Sequence, residues 1–327
     1  MFLEFKSKGS YVMGQLSQKT ALAKRWVKIV SGKTEVAVEQ GQGKVYEVGK
    51  IAGYYNDLTG KVSPNTLLDS QGVPLSLIAG GAKVHFPIAI FQYALGCYDL
   101  SLVNPVDSES ILESFRGCAD WALCSQRADG SWDAFGPIGS EKYTVSSMAQ
   151  GEGCSMLLRA SVAFKDDRYF EAALRAADYM LTDINIGGVS SYEDGELFLE
   201  EYPQNPRRSV LNGWIFSLFG LYDASLVDKR FSDPFSQSLS TLASHLSDYD
   251  TGYWSYYDLE KRIASPAYHS LHVAQLKALT DLSGNESFME MANIYEQYQK
   301  QSGNRLRAIA KKAVQKLSEK SDAVVIQ

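Results

Sequence analysis

The residues best suited to chemistry lie in polar segments that come directly before apolar stretches of helical length. The first such segment contains Glu200, Glu201 and Tyr202, followed by Arg207 and Arg208. Two prolines between the tyrosine and the arginines prevent a continuous helix, so this part of the chain must be a loop. Carboxylates, phenols and guanidinium groups can accept protons, donate protons and stabilise negative charge. We therefore expect polar groups held over a pocket at the end of a buried helix, where Asn212 also lies.

A second polar segment, residues 249–258, is dense in tyrosine and tryptophan and is followed by Lys261 and Arg262. Aromatic faces can stack on sugar rings, and a tyrosine hydroxyl can donate a hydrogen bond or titrate. His269 and His272 follow at a spacing that places both on one helix face. A lone His-x-x-His pair is weak evidence for a metal, so we predict hydrogen-bonding roles at a helix start and no metal site.

A third polar segment lies earlier in the chain and contains Trp132 among small and acidic residues. This tryptophan could stack on a sugar face or close one end of the fold, and the sequence leaves both readings open. Gln150 and Glu152 follow at the start of an apolar helix and are expected to face the same site. A glycosidase mechanism, which uses paired carboxylates, also stays open as a possibility, because Glu152, Glu201 and Asp258 are all expected at the site.

Hydrophobic periodicity indicates a mainly α fold in which apolar helices alternate with amphipathic ones. Short turns join the two helices of each pair, and long loops join successive pairs. This alternation predicts an incomplete (α/α) toroid of about four helical hairpins, with the long loops at one end. The predicted helices are 86–103, 108–126, 148–164, 168–182, 210–227, 234–247, 268–282 and 286–301, with Asp107, Asp167, Asp233 and Asn285 as N-caps of the amphipathic members.

The first 85 residues are expected to form an N-terminal helix and a small β-containing region, because residues 34–82 read as short strands and turns. Strands are predicted at 35–39 and 44–48, and residues 53–62 are predicted to form another strand or a hairpin. The predicted domain division is therefore 1–85, a toroid over 86–301, and a basic tail over 302–327.

Composition and charge exclude several classes of protein. The chain is 45% hydrophobic and 21% charged, with a net charge of −6, which is ordinary for a globular protein. This mildly acidic balance argues against a nucleic-acid partner. The N-terminus lacks the apolar centre of a signal peptide, and no Cys-x-x-Cys pair occurs, so a reducing, cytoplasmic location is expected. Residues 15–29 could rest on a membrane, but we favour a solvated helix. A homodimer stays open.

Several motifs resemble the D-glucuronyl C5-epimerase family, which acts on heparosan and related heparan-type polysaccharides. They are Ser-Met-Ala-Gln-Gly-Glu at 147–152, Glu-Glu-Tyr-Pro at 200–203, Val-Leu-Asn-Gly-Trp-Ile-Phe-Ser-Leu-Phe-Gly-Leu-Tyr-Asp at 210–223, Tyr-Asp-Thr-Gly at 249–252, Tyr-Asp-Leu at 257–259 and Tyr-His-x-x-His at 268–272. The resemblance implies conversion of D-glucuronate to L-iduronate within a polymer, without a cofactor. It also implies catalytic roles for Glu201, Tyr202, Tyr257 and Tyr268.

Epimerisation needs a base on one face of C5 and an acid on the other. Our working assignment gives these roles to Glu201 and Tyr268, with Tyr202 and Tyr257 orienting the uronate or sharing the protons. The family has an arginine three residues after the tyrosine that aligns with Tyr257, whereas this chain has Glu260. The list of expected substrate-binding residues is Gln150, Glu152, Trp132, Arg208, Asn212, Arg262, His269 and His272, with either arginine as the replacement cation.

Two other functions fit the same scaffold. A uronate-specific lyase would form the same carbanion and then expel the substituent at C4. A glycan-binding protein would bind the saccharide without any exchange at C5. The fold alone does not decide among these three.

Overall fold

The computed structural model describes residues 40–78, 80–103 and 108–318, and helices make up most of them. The nine α-helices of these ranges are α1 Pro87–Val103, α2 Ser108–Ser125, α3 Ser147–Phe164, α4 Asp167–Met180, α5 Leu211–Val227, α6 Ser232–His245, α7 Pro266–Ser283, α8 Glu286–Lys300 and α9 Ser302–Ser318. The predicted mainly α class is confirmed.

Helices α1 to α8 form four hairpins in chain order, and the first helix of each hairpin is the buried one. Helix α1 packs on α3, α3 packs on α5, and α5 packs on α7, so the buried helices stand in a row. The approach of α3 to α5 depends on glycine. A Cβ on Gly220 would lie 2.3 Å from the carbonyl oxygen of Gly151, closer than any real side chain tolerates. The four-hairpin repeat seen in the sequence is thus present.

The outer helices are amphipathic, as expected, but two of their predicted N-caps are wrong. Asp166, not Asp167, caps α4 by accepting a hydrogen bond from the backbone N–H of Arg168 at 3.0 Å. Helix α6 starts at Ser232 because a 3₁₀ turn, capped by Asp228, runs directly into it, which leaves Asp233 inside the first helical turn. The Asn285 cap of α8 is confirmed. Asp107 lies outside the described residues.

The described part of the N-terminal region contains less strand than predicted. Strand β1 (Ser76–Leu77) pairs with β2 (Lys83–Val84) in an antiparallel ladder. The strands predicted at 44–48 and 53–62 are wrong, since these residues form turns and bends with one isolated bridge at Asn56. Three of their apolar side chains, those of Tyr54, Tyr55 and Leu58, are fully buried against helices instead of a sheet. The predicted strand at 35–39 and the predicted helix at 15–29 lie outside the described residues.

Tyr54, Tyr55 and Leu58 belong to the same buried cluster as the helices. Their backbone is held by buried charges, because Asp99 accepts from the N–H of Tyr54 at 2.9 Å. Arg159 donates to the carbonyl of the preceding glycine at 3.0 Å. The predicted domain boundaries at residues 85 and 301 stay predictions.

The long connections follow the outer helices and span residues 126–146, 181–210 and 246–265. The second contains a hairpin that the sequence analysis missed, formed by β3 (Ser190–Glu193) and β4 (Glu196–Leu199). Its turn residues, Asp194 and Gly195, have φ of +49° and +83°. Asp-Gly at such a position is a strong hairpin signal. Strand β4 ends one residue before Glu200, so the hairpin carries the first polar segment to the end of α5.

The predicted basic tail forms helix α9 over Ser302–Ser318, which packs on α8 and α7. Among the helices that the structure describes, none has both the length and the apolarity needed to cross a membrane.

Candidate active site

Glu200 fixes the loop that carries the site. Its buried carboxylate accepts hydrogen bonds from the backbone N–H groups of Ser209 at 2.8 Å and Arg208 at 3.3 Å. The Ser209 hydroxyl donates to the other carboxylate oxygen at 2.5 Å. All these bonds connect the start of the loop to its end, so Glu200 has a structural role.

Glu201 differs from its neighbour because one oxygen of its buried carboxylate is left without a hydrogen bond in the described part of the chain. The residue is 5% exposed, and Oε2 has no hydrogen-bond partner among the described residues. The side chain lies over the first turn of α5, where a Cβ on Gly213 would come within 2.4 Å of Oε2. Burial raises the pKa of Glu201 to about 7, against the opposing effects of the Tyr202 phenol and the Arg208 charge.

Three tyrosines surround this carboxylate. The Tyr202 ring stacks on Phe135 at 4.9 Å and meets Tyr143 edge-on at 5.3 Å, so the first long connection supports it. Tyr257 and Tyr268 meet edge-on at 5.0 Å. The residue Ser265 caps α7 by accepting from the N–H of Tyr268 at 3.3 Å, which places this tyrosine in the first helical turn.

The phenols of all three tyrosines stay protonated at neutral pH. Tyr268 is 40% exposed as a residue, but its phenol is desolvated; this desolvation and the Glu201 charge raise the pKa of Tyr268 to about 12, although a hydrogen bond with Tyr257 opposes the shift. Burial and the same carboxylate hold the pKa values of Tyr202 and Tyr257 well above 10. These effects place the four predicted catalytic side chains in one electrostatically coupled cluster, which we call the Glu201–tyrosine cluster.

Arg208 and Arg262 share one buried counter-ion. Arg208 Nε lies 3.2 Å from Asp258 Oδ2, and Arg262 Nε lies 2.5 Å from the same oxygen. Glu260 adds a second, more exposed carboxylate, 3.6 Å from Arg208 and 3.9 Å from Arg262. Glu260 stands where the family has an arginine. It therefore helps to neutralise Arg208 and Arg262, the two candidates for the missing positive charge.

The two arginines differ in what else they contact. The Arg208 guanidinium lies 4.7 Å from the centre of the Tyr202 ring, and its charge opposes the raised pKa values of Glu201 and Tyr257. Arg262 lies 5.5 Å from the centre of the Tyr257 ring. Arg208 is thus the arginine whose charge acts on the carboxylate of the cluster.

Glu152 extends the site into the row of buried helices. Its Oε1 accepts from Gln92 Nε2 at 2.9 Å, while Oε2 is buried without a partner in the described part of the chain. Burial holds the pKa of Glu152 well above its usual value, Glu201 adds to the shift, and Lys61 opposes it. Burial also lowers the pKa of Lys61, against the attraction of Glu152.

The sequence analysis missed Gln92 and Lys61. Gln92 had a signal, since it is a polar residue in the middle of an apolar helix, α1. Lys61 lies in a 3₁₀ turn, Thr59–Lys61, and no pattern in the neighbouring sequence predicts that its side chain is buried. Asn212 lies near this end of α5, and its predicted substrate-binding role stays a prediction. It is 3% exposed, its side-chain Oδ1 lacks a described partner, and its backbone carbonyl accepts from Gln275 at 3.1 Å.

Residues 137–299 match the family model described as the D-glucuronyl C5-epimerase C-terminus. This part of the chain belongs to the D-glucuronyl C5-epimerase family. The D-glucuronyl C5-epimerase of Caenorhabditis elegans is 30% identical over 208 residues, which cover 55% of this chain and 34% of the relative. The chain thus spans about a third of that relative's length. The resemblance seen in the sequence is confirmed.

The region of the epimerase family contains all four residues of the Glu201–tyrosine cluster. Gln92 and Lys61 lie before it, and α9 lies after it.

Two predicted substrate-binding residues are core residues instead. Trp132 is 1% exposed, its ring packs edge-on against Phe91 at 5.0 Å, and its Nε1 donates to the carbonyl of Ala122 at 2.9 Å. Gln150 accepts from the N–H of Trp132 at 3.3 Å and donates to two backbone carbonyls. Trp132 therefore closes one end of the fold, and Gln150 holds the first long connection in place.

The two histidines are also buried within the protein rather than exposed in the site. His269 stacks on Trp254 at 3.8 Å, and its two ring nitrogens bond to Ser255 and to the carbonyl of Tyr295. Burial lowers the pKa of His269 to about 4, so the ring is neutral. The Nδ1 of His272 bonds to the Ser255 hydroxyl at 2.9 Å. Both ring nitrogens of His269 thus bond to protein groups, whereas the Nε2 of His272 is buried without a partner among the described residues, and the predicted substrate-binding role of His272 stays a prediction.

No group of three or more His, Cys, Asp or Glu side chains suited to a metal occurs in residues 40–78, 80–103 and 108–318. The predicted lack of a metal and of a cofactor stays a prediction. A separate cleft of about 410 Å³ is lined by Val84, His85, Pro87, Trp121, Ser125, Trp132, Asp133 and Pro137. Two of its polar groups are paired, His85 with Asp69 and Asp133 with Arg127. We place the candidate active site at the Glu201–tyrosine cluster because Oε2 of its carboxylate lacks a hydrogen-bond partner in the described part of the chain.

Proposed function

We propose that this protein is a polysaccharide C5-epimerase that converts D-glucuronate residues of a polymer to L-iduronate. The observation that carries the proposal is the buried, unpartnered Oε2 of Glu201 beside three phenols, within the region that belongs to the epimerase family. A carboxylate with raised pKa among neutral phenols is the combination of groups that reversible proton transfer requires.

In the proposed reaction, C5 loses one proton and gains another. The C5–H bond breaks, and its electron pair delocalises into the adjacent carboxylate as an enediolate. A proton then adds to C5 from the opposite face, which inverts the centre. The atoms of the product are those of the substrate, so the reaction needs no oxidant, reductant or second substrate.

Glu201 and Tyr268 are the proposed acid–base pair. A carboxyl group with a pKa of about 7 is ionised in a large fraction of molecules at neutral pH, so Glu201 can take the C5 proton. Tyr268, with a pKa of about 12, carries a proton that it can donate to the other face. Tyr257 shares a hydrogen bond with Tyr268 and would return a proton to it. Tyr202 would orient the uronate ring.

The developing enediolate requires positive charge or hydrogen-bond donors. Arg208 is one source, because it already acts on Glu201 and on Tyr257. Lys61 is the second, because it lies near the buried carboxylate of Glu152 and no ion pair joins it to a described residue. We propose that these two cations replace the family arginine at the Glu260 position.

The direct test is NMR of heparosan and other glucuronate polymers incubated with the protein in deuterated water. The expected result is L-iduronate carrying deuterium at C5 in an uncleaved chain. Glu201→Gln and Tyr268→Phe should each lower the rate of iduronate formation by about 10²–10⁴-fold. Circular dichroism and a thermal melt of each variant establish that it is folded.

The same spectra separate the other two functions. An unsaturated sugar at a new chain end would identify a lyase. Binding of the polymer without any exchange at C5 would identify a glycan-binding protein. Iduronate formation that survives in both folded variants would contradict the assignment of the acid–base pair.

A further inference from the structure

Helix α9 is the most strongly basic element that the structure describes. Its 17 residues include five cationic side chains and no acidic one. The cations are Arg305, Arg307, Lys311, Lys312 and Lys316. The match to the epimerase family ends at residue 299, so this helix is a feature of the chain beyond the matched region.

Specific contacts fix α9 to the third long connection. Gln315 Oε1 accepts from the backbone N–H of Ile263 at 2.9 Å, and Gln315 Nε2 donates to the carbonyl of Lys261 at 3.2 Å. Ala308 is fully buried in a small apolar cluster with Trp254 and Ile263. The helix is therefore a built part of the fold and not a solvated tail.

These contacts hold the cations over tyrosines of the third connection. The guanidinium of Arg307 lies 3.8 Å from the centre of the Tyr253 ring. The Lys312 ammonium lies 5.5 Å from the centre of the Tyr257 ring, which belongs to the Glu201–tyrosine cluster. The positive charge of α9 thus begins at the candidate active site and continues along the helix, whose 17 residues span about 25 Å.

We propose that α9 binds the anionic polysaccharide beyond the reacting uronate, an inference that rests on the proposed function. Each uronate residue of the polymer carries a carboxylate. The protein must therefore accommodate further negative charges only a few sugars away from the reacting uronate. The exposed cations of α9, Arg305 and Lys311 among them, supply complementary charge along the helix, and Lys312 places positive charge next to Tyr257.

An anionic membrane is the other partner that a basic helix can bind. Leu306 and Val314 are 61% and 67% exposed, and together they offer a small apolar surface to lipid. We favour the polysaccharide because the cations of α9 extend from Tyr257 of the candidate site. Binding to a membrane would not require cations next to that site.

Arg305→Gln combined with Lys311→Gln tests this surface. The matched control is Lys165→Gln combined with Lys229→Gln, which removes the same charge from exposed residues in two of the short turns. We expect the KM for a long glucuronate polymer to rise about three- to tenfold in the α9 variant and not in the control. The salt dependence of KM should also become shallower. The kcat, and the KM for a short oligosaccharide that fills only the reacting site, should stay within about twofold.

Equal KM values for the polymer in the α9 variant and its control would overturn the proposal. An α9 variant with an unchanged KM for the polymer but without binding to phosphatidylserine vesicles would also overturn it, because that result would identify α9 as a membrane-binding surface. If the wild type forms no iduronate, the proposed function fails, but fluorescence anisotropy of a labelled glucuronate polymer still tests α9. Weaker polymer binding by the α9 variant than by the control then supports the surface, and equal binding contradicts it.

Discussion

The two ends of helix α5 each hold a buried carboxylate, and their surroundings differ. Asp223, in the last turns, is fully buried, with Oδ2 at 2.6 Å from Arg159 Nη1 and Oδ1 at 2.5 Å from the Tyr55 hydroxyl. Glu201 packs over the first turn, and its Oε2 has no described partner. Asp223 has protein partners for both of its carboxylate oxygens, whereas Glu201 Oε2 has none among the described residues.

This difference separates a structural charge from a chemical one. A buried charge that has an ion pair and hydrogen bonds is stable, but it is not free to exchange a proton. A buried carboxylate without a partner raises the free energy of the folded state, and proteins keep such groups mainly at functional sites. Burial depth is therefore a poorer guide to function at the two ends of α5 than the number of unmet hydrogen bonds.

The largest effect on activity is expected from Glu201→Gln. The amide has nearly the shape of the carboxylate but cannot take a proton from C5, so kcat should fall by about 10²–10⁴-fold. Iduronate formation per folded molecule, measured by NMR, checks this. A fall of less than about tenfold would place the base elsewhere.

Asp223→Asn should have the opposite profile. The substitution leaves the Arg159 guanidinium buried without its counter-ion, and we expect the free energy of unfolding to drop by about 3 kcal/mol. The kcat of the molecules that remain folded should change by less than about threefold, because Asp223 lies at the other end of α5. Urea unfolding and the rate per folded molecule measure the two quantities. A large loss of kcat with unchanged stability would contradict a structural role for Asp223 and a chemical role only at the other end of α5.

Glu201→Gln should also make the protein more stable above neutral pH. The pKa of Glu201 is raised from 4.5 to about 7 in the folded state, so the folded protein holds a proton that the unfolded chain has released between these values. The stability of the wild type therefore falls as pH rises through this window, and the neutral amide removes this fall. The variant should gain about 1–3 kcal/mol over the wild type near pH 8 and nothing below about pH 4.

Urea unfolding of both proteins across this pH range measures the difference. Buried groups that do not interact with Glu201 contribute equally to both proteins and cancel, whereas Glu152, whose pKa the Glu201 charge raises, adds to the pH-dependent difference. A stability difference that does not change with pH would contradict a raised pKa for Glu201.

The smallest effect is expected at Gln150, where the amide bonds only to backbone groups of the protein. Gln150→Met keeps the volume but removes these bonds, and it should cost about 1–2 kcal/mol of folding free energy. Because Gln150 does not face the site, the KM for the polymer should match that of the wild type. A raised KM at unchanged stability would restore the substrate-binding role predicted from the sequence.

Elements with a clear period or motif could be predicted from the sequence. The apolar and amphipathic helices of the four hairpins follow from local periodicity, and the positions of Glu201, Tyr202, Tyr257 and Tyr268 follow from motifs next to them. Strands 44–48 and 53–62 were wrong because alternating apolar residues can be buried against helices as well as in a sheet.

The polar residues of the site could not be sorted from the sequence, because their roles depend on tertiary contacts. Trp132 and His269 look like ligand-binding residues until their ring nitrogens are seen to bond to protein groups. Lys61 has no local signal and reaches the buried carboxylates only through the packing of its turn on α1. The basic segment from residue 302 looked like a tail because the contacts that fix it, the hydrogen bonds of Gln315 to a distant loop and the burial of Ala308, leave no signal in the local sequence.

The central claim is that Glu201 and Tyr268 act on opposite faces of C5, and Tyr268→Phe tests it most directly. Each epimer of the polymer is incubated separately with this variant in deuterated water, and NMR follows deuterium at C5 and inversion of C5 independently. With one face disabled and Glu201 intact, one of the two epimers should gain deuterium without inverting, while iduronate and glucuronate interconvert at least about 10²-fold more slowly than in the wild type. Exchange and inversion that decline together for both epimers would contradict the two-face account.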